Sequence, residues 1–171
     1  MKKNQFIMLL FMLGCFMTSS MVYAQSPEAT AKGKVGSASI SISYCSPSVK
    51  GRKIWGDLVP YGKPWRAGAN KATIFETDKD ITVEGKSLKA GKYSLFLVPS
   101  EKEWEFILNS ETGQWGIKRT GEANFDPAKN VATFKVKPAK SASMTEALTY
   151  AVSEKGFVLR WENQEANVGI K

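Results

Sequence analysis

Ser37-Ala-Ser-Ile-Ser-Ile-Ser-Tyr44 alternates without a slip, with Ala38, Ile40, Ile42 and Tyr44 on one side and serines on the other. A period of two with one apolar side is the mark of a half-buried β-strand. From residue 72 onward the same period dominates. Residues 73–77 and 81–83 are short and β-branched, and Lys92-Tyr-Ser-Leu-Phe-Leu-Val98 is apolar on both sides, as a central strand requires, until Pro99 stops it. Trp104, Phe106 and Leu108 share a face, as do Ala132, Phe134 and Val136, and then Leu148, Tyr150 and Val152. Residues 157–161 and 166–170 read as two further strands, and Glu84-Gly85, Ala90-Gly91 and Glu154-Lys-Gly156 as tight turns. Residues 141–147 are the one stretch that admits a helical turn. Eight or nine short strands with turns between them predict an all-β fold, an antiparallel β-sandwich that is jelly-roll-like or a partly closed barrel.

The first residues set the compartment and the domain limits. Lys2 and Lys3 precede an apolar run over residues 6–17, and Val22-Tyr-Ala24 offers small residues for cleavage. This is the pattern of a secretory signal peptide over 1–24, and the run is too short to span a membrane. The expectation is an exported chain, periplasmic or extracellular, with lipidation at Cys15 as the rival. Residues 25–36, small and polar, read as a flexible tail, and 37–171 as a single β-sandwich domain. Once Cys15 is lost with the leader, Cys45 is the one remaining thiol, and it reads as a small buried apolar group.

Between the first strand and residue 73 lies a long loop that follows neither period. Residues 47–73 hold six basic residues, Lys50, Arg52, Lys53, Lys63, Arg66 and Lys71, against one acid, Asp57. Nearly all the excess positive charge of the exported chain therefore sits here, which favours an anionic or sugar-like partner. An ordered loop of such length is usually functional. Export, and the lack of any recognition helix or RNA-binding signature, point away from nucleic acid.

The chemistry open to the chain is narrow. It contains no histidine, so neither a histidine-based catalytic pair nor an imidazole metal site can form. No metal and no cofactor is expected; Asp78 and Asp80 form a close acidic pair without the rest of a calcium loop. What remains are guanidinium forks, flat aromatic faces and amides, which suit a polar or anionic small molecule or a glycan. The candidate ligand-binding residues are Lys50, Arg52, Tyr61, Trp65, Arg66 and Asn70, with Gln114 and Trp115 at the margin. The opposing reading makes Trp55, Leu58, Val59 and Trp65 loop anchors and lets Arg66 satisfy the loop's own carbonyls.

The strings Tyr44-Cys-Ser-Pro-Ser-Val-Lys-Gly-Arg52, Ile54-Trp-Gly-Asp-Leu-Val-Pro-Tyr-Gly-Lys63, Trp65-Arg-Ala-Gly-Ala-Asn-Lys-Ala-Thr73, Ala90-Gly-Lys-Tyr-Ser-Leu-Phe96 and Gln114-Trp-Gly116 resemble the signatures of a bacterial exported family, domain-of-unknown-function family 2911. The likeness covers the chain from about residue 37. It departs at Ala67, where the family favours threonine or serine, and at Lys71, where glutamate is common. The resemblance implies a compact exported β-domain and supplies no activity. Three functions follow as expectations. The first is a non-catalytic binding domain. The second is a glycan-active enzyme pairing Asp57 with a sheet acid such as Glu76 or Glu105. The third is a module that docks to an envelope protein.

Overall fold

A computed structural model describes residues 25–171, and the leader expected over 1–24 lies outside them. Ten strands are present: β1 (Glu28–Val35), β2 (Ala38–Cys45), β3 (Thr73–Thr77), β4 (Ile81–Val83), β5 (Lys86–Leu88), β6 (Gly91–Val98), β7 (Trp104–Asn109), β8 (Asn130–Val136), β9 (Ala139–Ser153) and β10 (Gly156–Gly169). The helical content of the described residues is one short 3-10 turn, Pro127–Lys129. Six strands form an antiparallel sheet in the order β1-β2-β3-β6-β7-β8. Opposite it, β9 and β10 make a long antiparallel ribbon, and the hairpin β4–β5 joins this second layer. The link is at Val83 beside Ile170, where Thr82 and Lys171 exchange backbone hydrogen bonds of 2.8 and 2.9 Å. The fold is an antiparallel β-sandwich and is not closed into a barrel.

The core between the layers follows the alternation. Ile40, Ile42, Phe75, Leu95, Leu97, Trp104, Phe106 and Leu108 from the large sheet meet Leu148, Tyr150, Phe157, Leu159 and Trp161. β6 lies inside the sheet, as its two apolar faces require, and its second face needs a cover. Phe96 is stacked on Phe125 at 4.4 Å and packs with Ala72 and Ile107, so the segment after β7 folds back over the outside of the sheet.

Three expectations are corrected. Residues 25–36 are not a free tail, because Glu28–Val35 pairs along its whole length with β2. Ala29, Ala31, Gly33 and Val35 turn inward there, and a Cβ on Gly33 would lie 2.7 Å from Val152 of β9, so the inward side is small because a neighbouring strand presses on it. Residues 141–147 are strand, within β9, with no helical turn. Residues 157–161 and 166–169 belong to one strand, β10, irregular between Arg160 and Gln164, where Glu162 takes a left-handed φ of 56°, and Ile170 follows as the bridge to Val83.

Candidate functional site

The long loop is strapped to the sandwich at several points. Ser48 pairs with Ala147 of β9, and Trp65 exchanges two 2.8 Å backbone hydrogen bonds with Leu97 of β6. Thr73 pairs with Leu95 of the same strand. Trp65 and Thr73 therefore both lie alongside β6, and residues 66–72 are an excursion between them. The Thr73 amide donates to the Arg66 carbonyl at 3.3 Å and closes the neck. Inside the excursion, Ala67 takes φ 51° and Asn70 φ 56°, and the Ala67 carbonyl accepts from the hydroxyls of Tyr150 (2.9 Å) and Thr73 (3.0 Å). Tyr150 is fully buried, which pushes its phenol well above the usual value and keeps it a neutral donor.

Trp65 turns inward, where its ring stacks on Trp161 at 5.7 Å and meets Trp55 edge-on at 6.0 Å. Its neighbour Arg66 therefore turns to the outer side of the sheet. There the aliphatic stem lies on Gly116: a Cβ at that glycine, whose φ is 86°, would stand 2.7 Å from the Arg66 Cβ. This explains Gln114-Trp-Gly116, since glycine supplies both the left-handed turn and the close approach.

Between the long loop and the segment after β7 opens a cleft of about 920 Å³. Leu58, Pro60, Pro64 and Trp65 form one side, Ile117, Ala123 and Phe125 the other, and Trp161 also contributes. Its cations are Arg52, Lys63, Arg66 and Lys118, and its one carboxylate is Glu122, 4.0 Å from Lys118. Arg66 carries the unusual electrostatics. Nε and Nη1 are sealed from solvent with no hydrogen-bond partner, and no carboxylate pairs with the group among the described residues. Desolvation pulls its pKa below the ordinary guanidinium value, yet at neutral pH it stays a cation. The Trp161 Nε1–H, on a side chain only 1 % exposed, is a third sealed donor without an acceptor.

The other candidates fall differently. Arg52 reaches the cleft, but its Nε donates to the Val49 carbonyl and its Nη2 to that of Ser48. Lys50 is exposed, and its backbone amide donates to Glu146. Asn70 gives its amide to the Ser26 carbonyl at 3.2 Å, and Gln114 bridges the Ser94 hydroxyl and the Glu111 carbonyl. Tyr61 and Trp115 are exposed and outside the cleft lining. Lys71 pairs with Glu28 of β1 at 3.1 Å and so braces the excursion. The sequence reading missed Trp161, Phe125, Lys118 and Glu122. Phe125 had a signal, because a two-faced central strand demands an apolar cover; Trp161 had none beyond its place on a strand.

The acids do not converge on this cleft. Asp57 is not among its lining residues, Glu76 pairs with Lys92 at 3.3 Å, and Glu105 lies opposite Lys135 on β8. A shallower hollow of about 370 Å³ brings Asp80 and Glu154 together near the hairpin tips. Asp80 is committed there to Lys89 and the Ala90 amide, which hold its carboxyl below the usual range, the opposite of what a general acid needs. Asp78 accepts from the Ser39 amide at 2.7 Å, so the acidic pair serves as loop braces.

No curated protein and no solved structure matches the chain. A family profile does match, over residues 26–170, a span that contains the strings read above. With most of its length matched, the chain belongs to the family described as proteins of unknown function, DUF2911.

Proposed function

We propose that the protein is a non-catalytic binding domain, working outside the cytoplasm, that holds a polar or anionic small molecule or a glycan in the cleft beside Arg66. One observation carries the reading: the Arg66 guanidinium faces no carboxylate, and two of its nitrogens are sealed without acceptors. Each such donor costs about 1–3 kcal/mol in a protein that leaves it unpaired, and more for a charged group. An anion in the cleft, met by the fork after a small rotation of the last torsions that brings a sealed nitrogen round to it, would recover part of that cost. A volume of about 920 Å³ is in the range of small-molecule sites. The basic, apolar leader read from the sequence supports the compartment.

The enzyme alternative finds less support. A paired-carboxylate mechanism needs two acids about 5–9.5 Å apart across one cleft, and Glu122 stands without a second there. Docking to an envelope protein is favoured by the exposed Trp115, Tyr61 and Leu58. Titration of organic anions and acidic glycans, followed by tryptophan fluorescence, separates the readings, because Trp65 and Trp161 wall the cleft. Saturable quenching that Trp115→Ala leaves intact and Arg66→Gln removes is the expected result. Silence across the panel would leave the docking surface as the better account.

A further inference from the structure

The walls of the cleft narrow the chemistry of what it takes. Resting on the binding role proposed above, we infer that the ligand is an amphiphilic organic monoanion, with one carboxylate-sized head for Arg66 and an apolar body, rather than an acidic sugar.

A hydroxyl-rich ligand is recognised through planar polar groups that donate and accept in pairs. The cleft offers one carboxylate, Glu122, already beside Lys118, together with the hydroxyl side chains of Ser26 and Thr120. The nearby amides Asn70 and Gln114 are spent on the chain's own groups and lie outside the lining. Leu58, Pro60, Pro64, Trp65 and Phe125 instead present apolar surface, which gains from covering a hydrocarbon or aromatic body.

The head is limited in the same way. Arg52 has Nε and Nη2 committed to two backbone carbonyls, so Arg66 is the one guanidinium in the lining with no partner of its own. A phosphate dianion calls for more: a second fork, or backbone amides at a helix N-terminus. The sole helical turn among the described residues is three residues long, and Glu122 on the wall disfavours a second negative charge. Lys63 and Lys118 at the cleft favour approach of an anion from solution.

The test uses five probes on the protein: 1-naphthoate, its neutral carboxamide, octanoate, glucuronate and inorganic phosphate, with fluorescence and calorimetric readouts. The expected result is saturable binding of either amphiphilic carboxylate, about tenfold or more tighter than the carboxamide, glucuronate or phosphate. That binding should show a negative heat-capacity change. Leu58→Ser, at a half-exposed position, should weaken it several-fold, and Arg66→Gln about tenfold or more, with both variants melting cooperatively. Glucuronate or phosphate binding as tightly as the amphiphiles, or the carboxamide matching naphthoate, would overturn the ligand class while leaving a binding cleft. No response to any of the five would overturn the binding role itself.

Discussion

Arg66 is a residue whose cost to the fold and whose use can be separated. A cation drawn out of water with two unpartnered donors destabilises the chain that carries it, and replacing such a group by an apolar one of similar shape is neutral or stabilising. Arg66→Met keeps the stem that lies on Gly116 and removes the charge. It should leave stability unchanged or raise it by about 0.5–2 kcal/mol in urea unfolding, while anion binding is lost. If Arg66 were instead a structural brace, the same change would lower the midpoint. Gly116 is the converse case. An alanine there must hold φ 86° and place its Cβ 2.7 Å from the Arg66 Cβ and 3.2 Å from the Ala72 Cα. Gly116→Ala should therefore cost about 1–3 kcal/mol and weaken anion binding through displacement of Arg66, both readable in one chemical-unfolding and titration series.

Strands were legible in proportion to the weight of their inward side chains. Residues 37–44 and 92–98 declared themselves because Ile, Tyr, Leu and Phe mark the buried side, and both are strands in the sandwich. β1 alternates just as regularly, but its inward residues are Ala29, Ala31, Gly33 and Val35, too small to register against a polar background. The first half of β9 is largely exposed and so has no apolar stripe to read. The hairpin β4–β5 gives the element scale a pH dependence. Asp78 is held below the ordinary value of 3.8 chiefly by the Ser39 amide, and Asp80 by Lys89 and then the Ala90 amide. A folded carboxylate with a depressed pKa stabilises fully above its unfolded value and loses that stabilisation as the pH falls through its folded value. The hairpin should thus stay docked at pH 5 and loosen well below pH 3.8, with the Ser39 and Ala90 amide proton shifts titrating together with their aspartates. Titration midpoints at or above 3.8 would contradict the bracing.

At the scale of the whole molecule the cleft is where segments distant in sequence are tied together. Ser46 donates to the Leu148 carbonyl at 2.6 Å, Ser48 pairs with Ala147, and Tyr150 holds Ala67. This is why the cleft was only half legible. Trp65 and Arg66 stood out by residue type, but the course of the loop, which gives Arg52 the nearby Ser48 and Val49 carbonyls and leaves Arg66 unpaired, is set by ties from Ser46 and Ala67 to Leu148 and Tyr150 far along the chain. The same ties make a prediction about Cys45. It is buried at the end of β2, its carbonyl accepts from the Ala69 amide, and it is the one cysteine among the described residues. A thiol reagent can reach it only when the excursion over residues 66–72 lifts from β2. If that excursion were a loose flap, labelling would be fast and insensitive to denaturant. Because Ala67 is held by Tyr150 of β9 and both ends of the excursion, Trp65 and Thr73, are paired with β6, it should open only with the sandwich. In a chain spanning 25–171, labelling of Cys45 is expected to be slower than in the unfolded state by a factor on the order of 10³ or more. Its rate should rise with urea along the slope of global unfolding, and a bound anion on Arg66 should slow it further.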